Sequence, residues 1–325
     1  MKKISYEKFI HELSVVFSDD DIVKDMILDA EDIAKYGEKR IALENLLENI
    51  YENEIIISLE LIDIAEDAFS DAPNDYDKEI ISDLRKMMRG NLKNDEYFEE
   101  RLIKSDEEVA HYEELVAKVC AVRGENDRGV QNGYGILTSI YQNRLNLLYT
   151  SGSRNGEIRE TYSNLLKYYA KIWESDNSYF ELIKVLSLAV LLNIDSQNES
   201  LTILKDKIRE SGYADYLVDK LMRFIDNSWN GCCLEFKWEK TYEPLKEIAD
   251  CKDKAQALLL LKEYLDNQWY DIHKDCAWYD THKTSKTAYY GYWSFEAGAI
   301  VKILSLDDSM LEKQAYYPYD LVHLI

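Results

Sequence analysis

Proline and glycine are scarce in this chain, 3 and 12 of its 325 residues. Both disrupt helix interiors and both build turns, so an all-β chain of this length would need many more. The expectation is an all-α protein: a small N-terminal helical bundle followed by a larger multi-helix domain. Cysteine is sparse too. The five thiols (Cys120, Cys232, Cys233, Cys251, Cys276) are odd in number and scattered, which excludes a regular disulfide framework. No apolar h-region follows Met1-Lys2-Lys3, so a reduced, cytoplasmic protein is expected. Long apolar runs are missing as well. The most apolar window, Leu182 to Ile194, contains Lys184 and is too short to cross a bilayer, so it predicts a buried central helix and no membrane partner.

Positive charge is in deficit, with 39 basic against 62 acidic residues and a net charge of −23. Such a surface repels phosphates, which argues against direct nucleic-acid binding, and it speeds the approach of a basic partner. The asymmetry concentrates at the start: residues 1–80 hold 22 Asp and Glu against 8 Lys and Arg. That imbalance marks a separate acidic module.

Apolar residues recur at helical spacing throughout. Tyr6, Phe9, Ile10, Leu13, Val16 and Phe17 share one face, with Asp19-Asp20-Asp21 to cap the next helix and Gly37 to end it. Ile41 to Tyr51 predicts a third helix and Leu61 to Phe69 a fourth, capped by Ser58. Ser70 to Tyr76, with Pro73, reads as a linker, and Asp77 to Arg89 as helical. Asp95 to Val122 is strongly helical, whereas the four glycines of Gly124 to Gly135 predict a loop. Helices are expected at 136–149, 157–174, 178–194, 198–210, 214–227 and 253–270. Ser294 should cap a helix to about 304, and Asp308 or Ser309 a short last one.

Residues able to carry chemistry do not assemble. His273, Cys276 and His282 form the grouping a metal-dependent hydrolase would use, but no Cys-x2-Cys or His-x3-His pair accompanies them. Cys276 beside either histidine lacks a nucleophile's local signature, and Trp269, Trp278 and Tyr279 suggest a packed corner instead. Gly124-x4-Gly129 and Gly133-x-Gly135 follow no strand and lack Gly-Lys-Ser/Thr, so they cradle no phosphate. No catalysis, metal or cofactor is expected.

The aromatic content of the C-terminal third is more specific. It includes Phe236-Lys237-Trp238, Tyr242-Glu243-Pro244-Leu245, Tyr264-Leu265-x3-Trp269-Tyr270 and Trp278-Tyr279-x2-His282-Lys283. Tyr289-Tyr290-Gly291-Tyr292-Trp293-Ser294-Phe295-Glu296-Ala297 and Tyr316-Tyr317-Pro318-Tyr319-Asp320-Leu321-Val322-His323 follow. In order and spacing this stretch, about 210–325, resembles the C-terminal domain of the immunity proteins that protect bacteria against PoNe-type DNase toxins. Residues 92–210, beginning Tyr97-Phe98-x2-Arg101-Leu102, are similar to that family's N-terminal part. Ile41 to Glu52 looks like the core of small MafI-type immunity proteins. The implied organisation is a MafI-like acidic domain over 1–75 and a PoNi-like helical domain over 76–325, divided into 92–210 and 211–325.

The resemblance implies a protein that catalyses nothing and neutralises a cognate nuclease toxin's C-terminal domain, a basic protein, by stoichiometric binding through an acidic surface. A helical scaffold or regulatory protein with no toxin partner is the rival of a different class. Candidate contacts are Asp19, Asp20, Asp21 and Asp25, or Glu60, Asp63, Glu66, Asp67 and Asp71, each set on one short stretch of the most negative module. Tyr279, Asp280, His282, Tyr290 and Tyr292 are candidates for one edge of a second surface. The aromatic string itself is expected chiefly to pack, with Gly291 permitting a tight turn and Glu296 on the first turn of a helix.

Overall fold

The computed structural model describes residues 3–18, 20–55, 57, 59–88, 93, 95–152, 155–237, 239–283 and 289–324. Among these residues the chain is all helical, with sixteen α-helices and no strand. No helix among them is long and apolar enough to cross a membrane. The chain divides into two compact units, Met1–Asn94 and Asp95–Ile325.

The first unit holds α1 (Lys3–Val16), α2 (Asp21–Lys35), α3 (Lys39–Glu52), α4 (Leu59–Phe69) and α5 (Asp75–Met88). Asp20 starts α2 by accepting the backbone N–H groups of Ile22 and Val23 at 3.0 and 3.1 Å. Gly37 ends it at φ +89°, a conformation open to a residue without Cβ. Ser58, expected to cap α4, lies outside the described residues. Phe9, Leu13, Val23, Leu43, Leu46, Leu47, Ile50 and Phe69 form a single buried core.

The fifth helix belongs to this unit because Ile80, Ile81 and Leu84 enter the same core. Its start is a reciprocal cap: Asn74 Oδ1 accepts from the Asp77 N–H at 2.7 Å, and Asp77 Oδ2 accepts from the Asn74 N–H at 2.8 Å. Arg40 of α3 clasps the same turn, donating to Asp77 and, at 2.9 Å, to the Ala72 carbonyl. The linker around Pro73 is therefore internal to the first unit, which runs past the 75/76 boundary expected from the sequence.

The second unit contains α6 (Asp95–Arg123), α7 (Arg128–Thr150), α8 (Asn155–Ile172), α9 (Tyr179–Leu191), α10 (Glu199–Glu210) and α11 (Tyr216–Ile225). It continues with α12 (Glu239–Asp250), α13 (Lys254–Asn267), α14 (Trp269–Ile272), α15 (Phe295–Leu304) and α16 (Tyr319–Val322). Helix α9 is the expected central helix, buried along most of its length and packed on α11 and α15.

The loop expected over Gly124 to Gly135 is mostly helix, because α7 begins at Arg128 behind an Asp127 cap. Its glycines serve packing. A Cβ on Gly133 would lie 2.3 Å from Val116 Cγ2, so the missing side chain is what lets α6 approach α7. Two buried aspartates organise the irregular segment after α11. Asp215 caps α11 and accepts from Tyr179 Oη and the Lys237 N–H, while Asp219 accepts from Trp229 Nε1 and the Cys233 N–H, each at 2.8 Å to the latter pair. Ser294 and Asp308 precede helical turns as expected, but neither side chain bonds the backbone there. Asp308 is buried instead, accepting from Tyr317 Oη at 2.6 Å and pairing with His323 Nε2 at 2.9 Å.

Candidate partner-binding surfaces

On the first unit the candidate acidic residues have different surroundings. Asp20 is half-buried and occupied as the α2 cap. Asp21 and Asp25 are exposed, and the Lys24 ammonium 2.8 Å from Asp21 holds that carboxyl below its ordinary pKa. The same outer face of α2 carries exposed Asp29 and Asp32, and among them Ile22 (61 % exposed), Leu28 (58 %) and, just past the helix, Tyr36 (87 %). Glu66, Asp67 and Asp71 are exposed along and after α4, with Asp67 accepting from Ser5 Oγ. Asp19 and the side chains of Glu60 and Asp63 lie outside what is described.

The aromatic edge on the second unit is mainly framework. Tyr292 is buried, and its hydroxyl meets the His282 N–H at 3.1 Å and His282 Nδ1 at 2.8 Å. His282 is buried as well, so these two form an internal clamp. Tyr290 is half-buried under Arg101, whose guanidinium sits 5.2 Å from the ring centre and donates to the hydroxyl at 2.8 Å. Tyr279 packs on Tyr270 at 4.4 Å between ring centres, and Asp280, at φ +56°, accepts from Tyr270 Oη at 2.8 Å. Gly291 makes the expected turn at φ +99°. Tyr279, Asp280 and Tyr290 keep partial exposure; His282 and Tyr292 do not.

His273, Cys276 and His282 do not converge on an ion. Nδ1 of buried His273 faces the Trp269 carbonyl at 2.6 Å and, since a carbonyl only accepts, donates this hydrogen bond. Burial, then Asp275, pushes the Cys276 thiol pKa up, away from a reactive thiolate. Among the described residues no group of three His, Cys, Asp or Glu side chains could hold a metal.

The aromatic strings of the second unit converge, with residues from α7 and α9, on one cleft. The cleft, of about 370 Å³, opens among α7, α9, α14 and the start of α15, walled by Phe180, Tyr242, Trp269, Trp278, Trp293 and Phe295. Its charged members are Glu181, Lys184, Glu296 and the exposed Asp275. Glu296, 5 % exposed, accepts through Oε1 from Trp269 Nε1 at 2.6 Å and from Ser294 Oγ at 2.7 Å. Burial brings the Lys184 pKa down to about 8, against the pull of Glu181 and Glu296, and its ammonium lies 5.7 Å from the Phe295 ring centre. Burial likewise raises Glu181.

Two family models match the chain: PoNe immunity protein (PoNi), N-terminal, over residues 77–203, and PoNe immunity proteins (PoNi), C-terminal, over residues 213–321. The chain belongs to the PoNe immunity protein family. The N-terminal match begins inside α5, so the family's segment starts within the first compact unit rather than at its end. Neither match reaches residues 1–76, and the MafI-type likeness is not confirmed. Comparison with curated proteins and with solved structures gives no match.

Proposed function

We propose that this chain neutralises a cognate PoNe-type DNase toxin by binding the toxin's C-terminal nuclease domain one to one in the cytoplasm. The observation that carries this reading is the pair of family matches across 77–203 and 213–321. The charge supports it: a nuclease needs a basic surface to hold DNA phosphates, and a protein of net charge −23 competes for that surface. Inhibition by occupancy requires no bond-making from the inhibitor, so the chain acts as a ligand and not as an enzyme.

The contact face we favour is the outer side of α2. Asp21, Asp25, Asp29 and Asp32 supply charge, and Ile22, Leu28 and Tyr36 supply exposed apolar surface of the kind that anchors an interface. Glu66 and Asp67 on α4 and Asp71 just after it form the second acidic set.

The test is co-expression of the intact protein with the nuclease encoded beside it, followed by binding kinetics on the purified pair. Growth should be rescued by the wild-type protein. The triple variant Asp21→Asn, Asp25→Asn, Asp29→Asn should associate about tenfold more slowly and with a flatter salt dependence. Persisting toxicity beside the intact protein would refute the immunity reading for that toxin. An unchanged association rate would remove α2 from the contact face.

A further inference from the structure

The cleft of the second unit has polar groups that its own fold leaves unanswered. Glu296 uses only Oε1 in hydrogen bonds; Oε2 has no partner among the described residues. Lys184 forms no ion pair with Glu181 or Glu296 among the described residues, although it responds to the charge of both. One turn apart on α7, Gln142 Nε2 and Asn146 Oδ1 line the same cleft and are buried without hydrogen-bond partners. His273 also lines the cleft, with Nδ1 held on the Trp269 carbonyl.

Buried polar atoms are normally satisfied, and two unsatisfied ones lining one cavity, Gln142 Nε2 and Asn146 Oδ1, identify a place where something else completes the network. The charge count selects the guest. Two carboxylates stand against one ammonium, and the exposed carboxylate of Asp275 lies at the rim. An anion would meet Lys184 but also face Glu181 and Glu296. A neutral apolar guest would bury all three charges unpaired. A guanidinium fits both needs: its fork of donors suits the free oxygen of Glu296, the Glu181 carboxylate and Asn146 Oδ1, and its flat face suits the half-exposed rings of Phe180 and Trp278. A volume of about 370 Å³ accommodates one long side chain and no larger element.

We infer that this cleft receives an arginine side chain of the protein partner, held between Glu181 and Glu296 against the aromatic wall. The inference rests on the immunity reading, since that reading supplies a basic protein partner. It does not depend on the α2 face. Lys184 is compatible with such a guest because its ammonium, already desolvated, gives up its proton more readily than an exposed lysine as a second positive charge arrives.

The experiment is titration calorimetry of the purified full chain with the catalytically inactivated nuclease domain. Glu181→Gln and Glu296→Gln are the variants, each combined with single arginine-to-alanine substitutions in the nuclease. Glu296→Gln keeps an oxygen for Trp269 and Ser294, and the Glu181 side chain bonds nothing whose loss would unfold the helix. Each variant should bind about tenfold more weakly or worse. For one nuclease arginine, the combined loss should be no greater than the larger single loss, the signature of a direct contact.

Wild-type affinity in Glu181→Gln with unchanged melting would overturn the inference and leave the immunity reading standing. Additive losses with every arginine would do the same. Stabilisation by free arginine without any coupling to the nuclease would assign the cleft to a small molecule and equally overturn it. Failure of the wild-type chain to bind the nuclease would remove both.

Discussion

Replacing Gly291 by alanine tests how far the C-terminal aromatic string serves as framework. The residue sits at φ +99°, and an added Cβ would lie 1.9 Å from Thr150 Oγ1 and 2.8 Å from Trp293 Nε1. Neither atom can retreat freely. Trp293 Nε1 donates to Thr150 Oγ1 at 2.8 Å, and Thr150 Oγ1 donates onward to the Asn146 carbonyl at 2.7 Å. Positive φ costs an L-residue about 1–2 kcal/mol, and forcing a methyl into a packed site adds about 1–3 kcal/mol. The sum, about 2–5 kcal/mol, is a large fraction of a domain's stability. For a unit of this size each kcal/mol shifts the melting temperature by about 2–4 °C, so a fall of roughly 4–20 °C is expected. Gly212→Ala is the internal control: φ is +63° and nothing lies within 4 Å of its Cβ, so only the backbone penalty applies. Thermal melts followed by circular dichroism measure both. A melting point within about 2 °C of wild type, or no difference between the two alanine variants, would refute the packing argument.

Lys205 and Asp226 form a buried ion pair at 2.8 Å, with Ser196 O and Ser228 completing their hydrogen bonds. Lys205→Met, which strands the carboxylate, should cost about 3–5 kcal/mol in urea unfolding at neutral pH. Hydrogen bonds from Lys205 and Ser228 hold the Asp226 pKa well below that of an unfolded aspartate, so the pair's contribution is fully present above about pH 4 and is lost as pH falls through the native value. Identical acid slopes in wild type and Lys205→Met would contradict this. Gly133→Ala should destabilise despite alanine's better helix propensity, because its Cβ would lie 2.3 Å from Val116 Cγ2; combining it with Val116→Ala should give less than the summed loss in the same melts.

Much of the architecture was legible because it follows from local rules. Scarce proline and glycine set the helical class, Asp20 and Gly37 bracket α2 as their chemistry requires, and the apolar window at Leu182 is the buried α9. The errors came where a residue's role depends on a distant neighbour. Gly129, Gly133 and Gly135 look like loop residues in one dimension, yet they lie within α7, and Gly133 admits Val116 from α6. Pro73 and Asn74 look like a linker, but the Asn74–Asp77 cap and the apolar side of α5 turn the segment back onto α3 and α4. Asp308 has the sequence position of a cap, and only its contacts with Tyr317 and His323 show it to be a buried acceptor.

The same distinction divides the two candidate surfaces. Acidic charge on α2 is visible in composition, although the exposure of Leu28 and Tyr36 beside it is not. The sequence showed the cleft's aromatic wall, in Tyr242, Trp269, Trp278, Trp293 and Phe295, but not the polar set gathered there, because Gln142, Glu181, Lys184 and Glu296 come from three helices. Exposed carboxylates in water act at long range and are screened by salt, so they govern how fast a basic partner arrives. A desolvated carboxylate such as Glu296 acts only at contact, where a lost partner is felt chiefly in how fast the complex comes apart. Charge removal on α2 should therefore act on the association rate and on its salt dependence, whereas Glu181→Gln and Glu296→Gln should act on dissociation at any ionic strength. If both sets of variants changed the association rate alone, the cleft would be only part of the general acidic field and not a binding site.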